Sequence, residues 1–161
     1  MNVKEPKLVE LKEGDKAPDF SLPSSDGGTV SPQGLKGKSF VLYFYPKDDT
    51  PGCTKEACSF RDLGKKFQAA GAEIYGVSFD SIDSHKKFIA KYKLPFPLLS
   101  DSDKSVATAY GVFKKKMLYG NSFLGIERTT FVIDPEGKIK KIFPKVKVDG
   151  HVEEVLAAVN F

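Results

Sequence analysis

Tryptophan is absent from the 161 residues, and the chain carries only two cysteines and two histidines. Two cysteines are too few for a secreted disulfide scaffold, which spreads more of them along the chain. A closed zinc site needs four ligands. His85 and His151 stand at no ligand-like spacing to Cys53 and Cys58, so no metal is expected. No apolar run approaches the roughly 18 residues that a membrane-spanning helix needs, and a membrane is not an expected partner. The opening Met1-Asn2-Val3-Lys4-Glu5-Pro6 lacks the apolar core of a signal peptide and the Arg/Ser-rich, acid-poor look of a transit peptide. The default compartment is therefore the cytoplasm. In a reducing compartment a close cysteine pair is more often catalytic or redox-sensing than structural.

What is present is an ordinary balance of 40% hydrophobic and 29% charged residues. The length suggests one domain, residues 1–161, with residues 1–13 as a charged, loosely held lead-in. A domain of this size buries roughly two thirds of the surface its unfolded chain exposes, so it needs no disulfide to hold a core. The net charge of +4 is not gathered into a single basic stripe, as nucleic-acid binding would want. Lys114-Lys115-Lys116 and the lysines between Lys138 and Lys147 read as solvated faces, and nucleic acid is not an expected partner.

Hydrophobic period gives the elements. Phe20-Ser21-Leu22 and Gly28-Thr29-Val30-Ser31 flank a Pro23/Asp26/Gly27 turn and predict a hairpin. Phe40-Val41-Leu42-Tyr43-Phe44-Tyr45 predicts a strand buried on both faces. Helical spacing from Cys53 to Ala70 predicts one helix stopped by Gly71. Ile74 to Phe79 predicts a second strand, and a helix capped by Ser84 runs to Pro95. A short strand over Phe96 to Leu99 and a short helix over Ser105 to Tyr110 follow. Thr129 to Ile133 is a third strong strand, joined by an Asp134-Pro135-Glu136-Gly137 turn to a partner over Lys138 to Phe143. His151 to Val159 closes as an amphipathic helix. The alternation predicts an α/β sandwich around a mainly parallel sheet with one antiparallel edge.

In such sheets ligands bind beyond the carboxyl ends of the strands, which draws the eye to the segment after Tyr45. Cys53 falls there at a predicted helix start, where unpaired N–H groups and the positive end of the helix dipole favour a thiolate. The thiolate is the nucleophile. A thiol of ordinary acidity is about 3% ionised at pH 7, so charging it fully gains at most about thirtyfold in rate. Any larger acceleration must come from activating the electrophile. The Thr50 hydroxyl, the N–H groups of Gly52 and Cys53, and the Arg128 guanidinium are the candidate donors. Pro46 and Pro51 stiffen the loop and limit water access. Each has a plainer alternative: an inert buried cysteine, a helix cap at Thr50, a surface ion pair at Arg128. The reading rests on the combination. Glu56, one turn after Cys53, is a candidate brace for the loop or for Arg128. His85 and His151 are expected at the surface or in capping roles, and Asp48 and Asp49 in the turn.

Pro46-x-x-x-Thr50-x-x-Cys53 resembles the peroxiredoxin active-site motif. Phe44-Tyr45-Pro46 through Cys58-Ser59-Phe60-Arg61-Asp62 is similar to the peroxiredoxin Q, or bacterioferritin comigratory protein, subgroup, and Arg128-Thr129-Thr130-Phe131-Val132-Ile133-Asp134 resembles the second signature of that family. The resemblance implies a thioredoxin-like three-layer α/β/α sandwich with a central mixed sheet and an N-terminal β-hairpin. It implies Cys53 as the peroxidatic cysteine, Thr50 and Arg128 on the peroxide, Pro46 shielding the sulfur, and no metal, haem or flavin. Recycling by thioredoxin or a similar dithiol and a monomeric state are implied in the same way.

Attack on a peroxide leaves a sulfenic acid that a second thiol can condense into a disulfide, and Cys58 is the only second thiol in the chain. In a continuous helix, positions five apart place their Cα atoms roughly 8.6 Å apart, beyond the ~7 Å a disulfide tolerates. Oxidation is thus expected to unwind the helix start. If Cys58 takes no part, the chain is a one-cysteine peroxidase resolved by an external thiol. A thioredoxin-like disulfide oxidoreductase would carry Cys-x-x-Cys, which the wider spacing here does not match. A redox-switched holdase would expose a large apolar patch on oxidation and turn over no peroxide. Glutathione peroxidases are a weaker match, since the Gln and Trp pair is missing.

Overall fold

The computed structural model describes residues 9–161. The first eight positions of the charged lead-in lie outside the described residues. From Val9 onward the lead-in is docked: Leu11 packs against the core, and the backbone N–H of Gly14 donates to Ile139.

A short antiparallel hairpin, β1 (Leu22–Pro23) with β2 (Thr29–Val30), comes first. It is followed by β3 (Ser39–Phe44), α1 (Pro51–Asp62), α2 (Gly64–Ala69) and β4 (Ala72–Ser78). Next come α3 (Ile82–Tyr92), β5 (Leu98–Ser100) and α4 (Ser105–Ala109). A second hairpin, β6 (Phe113–Leu118) with β7 (Asn121–Ile126), leads into β8 (Thr129–Ile133), β9 (Ile139–Phe143) and α5 (His151–Asn160).

The central sheet has the order β5-β4-β3-β8-β9. β3, β4 and β5 run parallel, while β8 and β9 are antiparallel additions. β3 sits in the middle because its continuous apolar run can be buried on both sides. Strand side chains alternate between faces, and the core divides accordingly. Phe40, Leu42 and Phe44 join Tyr110, Phe131 and Ile133 on one face. Val41, Tyr43 and Tyr45 join Phe60, Phe67, Phe88 and Val155 on the other. The layer on that second face is carried by α1, α2, α3 and α5. Among the described residues, the opposite layer holds the short α4, the N-terminal segment, a single 3-10 turn at Gln33–Leu35 and parts of the hairpins. The mixed sheet between two covering layers is thus the expected thioredoxin-like sandwich, with its helices unequally shared. Gly76 is required at the centre: a β-carbon there would stand 2.8 Å from the Tyr43 ring and 2.7 Å from Leu98.

Three expectations are corrected. The helix begins at Pro51, two residues before Cys53, since proline has no N–H to lose and its φ suits the first helical position. It breaks at Leu63, whose non-helical backbone separates α1 from α2. The cap of α3 is Ser81, whose hydroxyl accepts from the N–H of Ser84 at 3.1 Å. Lys114-Lys115-Lys116 lies in a strand of the second hairpin, which three consecutive lysines hide from a search for apolar alternation.

Candidate active site

β3 delivers Tyr45 into the core, and the chain then turns through 46–50 into α1. Thr50 is the N-cap residue, but its hydroxyl does not cap the helix. It donates instead to the Lys47 carbonyl at 2.8 Å, which closes the turn and leaves the oxygen's lone pairs available to an outside donor. The Thr50 carbonyl accepts from Thr54 at 2.8 Å. The N–H groups of Gly52 and Cys53 lie ahead of that first intrahelical bond. Pro46 is half-buried at the loop's start.

Cys53 is 2% exposed. Its Sγ accepts a hydrogen bond from Arg128 Nη2 at 3.3 Å. Arg128 arrives from the segment between β7 and β8, and its Nη1 donates to Glu56 Oε1 at 2.7 Å. One guanidinium thus spans the sulfur and a carboxylate on the same helix, as its planar fork permits. Burial works against the Arg128 charge, yet Glu56 and Cys53 outweigh it and hold the guanidinium above its ordinary range.

Glu56 is fully buried, and desolvation pushes its carboxyl up to about 7 against the pull of Arg128. Its second oxygen, Oε2, and the buried Tyr43 hydroxyl have no hydrogen-bond partner among the described residues. Burial, then the neighbouring Glu56 and Cys53, push the Tyr43 phenol well above its usual range, so it stays neutral. His151 Nε2 lies 3.9 Å from Glu56 Oε2 and 2.9 Å from Thr130 Oγ1. Desolvation and the Arg128 charge push His151 down to about 4. It is therefore a neutral ring near pH 7, and its approach to Glu56 is not an ion pair.

Cys58 is half-buried on the same continuous α1, and both thiols are free. Arg61, one turn later, donates to the Tyr92 carbonyl at 2.8 Å, and Phe60 stacks on Tyr43 with ring centroids 4.6 Å apart. The end of α1 is thereby tied to α3 and to the core, whereas its start rests on the Arg128 bridge.

Both histidines expected at the surface are buried: His85 is 0% exposed and His151 4%. His85 Nδ1 lies 2.7 Å from Asp48 Oδ2, and its Nε2 donates to the Leu99 carbonyl at 2.9 Å. Asp48 also accepts from the Tyr45 hydroxyl at 2.5 Å and from Ser84 Oγ at 2.8 Å. Asp48 is therefore the loop's anchor to α3, not a mere turn residue. Asp49, at φ 56°, receives Lys91 Nζ at 2.7 Å and the Tyr92 hydroxyl at 2.9 Å, and these donors hold its carboxyl below the ordinary range. Helical period carries the signal of this burial: His85 shares its stripe with Phe88, Ile89 and Tyr92, and His151 shares one with Val155 and Val159. The expected brace from Glu56 to Arg128 is present.

A model of the AhpC/TSA family matches residues 13–142. The chain is 54% identical over 148 residues to the putative peroxiredoxin bcp of Coxiella burnetii, covering 92% of this chain and 98% of that protein. It is 52% identical over 148 residues to peroxiredoxin Bcp of Bacillus subtilis, covering 92% and 94%. A solved structure of Xanthomonas campestris peroxiredoxin Q is similar with TM-score 0.83 and 47% identity, over 87% of this chain and 89% of that one. Fold, site and relatives together define a thiol-dependent peroxidase on a thioredoxin-like scaffold. The chain belongs to the AhpC/TSA family and, within it, to the peroxiredoxin Q or Bcp subgroup.

Proposed function

We propose that the Cys53 thiolate attacks the terminal oxygen of a hydroperoxide. The O–O bond breaks, the sulfur becomes a sulfenic acid, and the departing alkoxide or hydroxide takes up a proton as alcohol or water. Arg128 stabilises both the sulfur anion and the negative charge that develops on the leaving oxygen. Thr50, whose hydroxyl hydrogen is engaged by the Lys47 carbonyl, accepts from the peroxide, and the N–H groups of Gly52 and Cys53 donate to it. Pro46 shields the sulfur. The Cys58 thiolate then attacks the sulfenic sulfur, the S–O bond breaks, and the departing hydroxide takes up the proton that the Cys58 thiol gave up, leaving as water as the disulfide forms. A dithiol, of which thioredoxin is the natural candidate, reduces that disulfide by exchange.

Hydrogen peroxide and small alkyl hydroperoxides suit the narrow loop. One structure of the Xanthomonas campestris relative is described for its alkyl peroxide reduction activity. The working form is a monomer in the cytoplasm, where the second thiol of the same chain replaces a partner's. No helix among the described residues is long and apolar enough to cross a membrane.

The observation that carries this reading is the 3.3 Å contact between Arg128 and the Cys53 sulfur, braced by Glu56. Stopped-flow oxidation of the reduced protein by hydrogen peroxide tests it. Cys53→Ser abolishes the fast phase, and Cys58→Ser keeps it but loses the following disulfide phase. A fast phase that survives Cys53→Ser removes Cys53 from the reaction. Unchanged dithiol-driven turnover in Cys58→Ser means that an external thiol resolves the sulfenic acid.

A further inference from the structure

Glu56 stands inside the segment that a Cys53–Cys58 disulfide must close, and it is 0% exposed. Groups from several elements face its carboxyl. Arg128, from the segment between β7 and β8, donates to Oε1 at 2.7 Å. His151 of α5 comes within 3.9 Å of Oε2, too far for a hydrogen bond, and its Nε2 lies 2.9 Å from Thr130 Oγ1 on β8. Tyr43 of β3 and Cys53 on α1 are further titratable neighbours, and the phenol stays neutral. Oε2 is left with no hydrogen-bond partner among the described residues. A buried carboxylate oxygen without a donor is costly while charged and much less so when protonated. Burial accordingly holds the carboxyl at about 7 against an ordinary 4.5.

The two cysteines lie on one continuous helix, at a Cα spacing of roughly 8.6 Å that a disulfide cannot bridge. The backbone between them must leave the helix when the bond forms. Position 56 leaves with it, away from Arg128 and into water. There the carboxyl returns to its ordinary range and sheds its proton. His151 does not follow. Its ring is covered edge-on by Phe60 and Phe143, and neither these residues nor Thr130 lie between the cysteines.

We propose that Glu56 is a proton-operated latch on α1: its buried carboxyl, joined to Arg128, keeps the reduced helix closed, and formation of the Cys53–Cys58 disulfide releases it to water together with its proton. The proposal rests on Cys58 being the resolving thiol. In that step the sulfenic acid and the Cys58 thiol give the disulfide and one water. The Glu56 proton is an additional one, passed to solvent as the carboxyl becomes carboxylate, so charge balances. Because the open form holds fewer protons, rising pH favours the disulfide between about 4.5 and 7. Glu56 is thus a positioning residue that acts through Arg128 and through the helix.

The reduced protein is equilibrated with mixtures of reduced and oxidised dithiothreitol at a series of pH values, and the trapped disulfide is measured by mass. Cys53 ionisation, read from ultraviolet thiolate absorbance on the same samples, is corrected for. The ratio of disulfide to dithiol protein should then climb about tenfold or more from about pH 5 to 7. It should stay flat in Glu56→Gln and still climb in His151→Asn. Difference infrared spectra of the unaltered protein at about pH 6 need no variant: oxidation should remove the C=O stretch of one protonated carboxyl and add a carboxylate band. The same climb in Glu56→Gln overturns the proposal, as does an infrared spectrum without that exchange. A climb that vanishes in His151→Asn would assign the proton to the histidine and also overturn it. Failure to form any Cys53–Cys58 disulfide is a separate result: it removes Cys58 as the resolving thiol, and the latch with it.

Discussion

A β-carbon on Gly52 would stand 3.2 Å from Nη2 of Arg128, the nitrogen that donates to the Cys53 sulfur. Gly52 lies inside α1 without a positive φ that would demand glycine. Its role is to leave room for the guanidinium. Gly52→Ala should therefore split stability from rate. The helix gains about 0.5–1 kcal/mol from alanine, partly offset by the displaced arginine. Oxidation by hydrogen peroxide should slow about tenfold or more, equivalent to about 1.4 kcal/mol in the barrier. Urea midpoints and stopped-flow rates measured on the same preparation check both halves. An unchanged rate would mean that Arg128 need not stand where it does.

Glu56 and His151 should give opposing pH slopes. The folded carboxyl of Glu56, at about 7 against an ordinary 4.5, binds more protons than the unfolded one in between. Stability from this group falls as pH rises from about 4.5 to 7. His151, at about 4 against an ordinary 6.5, is the reverse: the unfolded chain binds more protons, so stability falls as pH drops from about 6.5 to 4. The two trends cancel in part between pH 4.5 and 6.5. Glu56→Gln should unmask a stability that climbs from pH 4 to 6.5 and then levels. His151→Asn should unmask one that declines from pH 4.5 to 7. Each slope is on the order of 1–3 kcal/mol across its window. Urea midpoints that track the unaltered protein at every pH would refute both assignments.

Asp48 and His85 meet at 2.7 Å with exposures of 3% and 0%. Removing His85 takes one of three side-chain partners from the buried Asp48, leaves the Leu99 carbonyl without its donor and opens a cavity in the core. His85→Ala should cost about 3–5 kcal/mol. A double-mutant cycle with Asp48→Asn should return a coupling of at least about 1 kcal/mol. Additive effects would deny the pair any direct interaction.

The disulfide prediction follows from α1 being one helix across both cysteines. A span of roughly 8.6 Å between their Cα atoms cannot be bridged without backbone movement. Arg61 and Phe60 hold the far end of the helix, so the opening should be confined to the start. Hydrogen exchange in residues 50–57 should speed up on oxidation while residues 60–62 stay protected. In Cys58→Ser, which cannot close the bond, the same amides should remain protected after peroxide. Equal protection in both redox forms would sink the unwinding step.

The sequence by itself determined the alternation of strands and helices, the placing of a cysteine at a helix start after a central strand, and the pairing of two distant signatures. Those are local facts: period, a proline and glycine loop, a thiol beside unpaired N–H groups. One turn of helix also placed Glu56 beside Cys53 as a brace for the loop or for Arg128; that the partner is Arg128 came from the tertiary structure. Tertiary structure alone decided which side chains distant in sequence, from 37 residues upward, lie against one another. It put Arg128 on the sulfur and His85 under Asp48. It also closed His151 over Glu56 and left the Tyr119 hairpin exposed. Burial is a property of neighbours brought from elsewhere in the chain. A histidine on a helical stripe reads the same on paper whether that stripe faces water or a carboxylate, and only packing distinguishes the two.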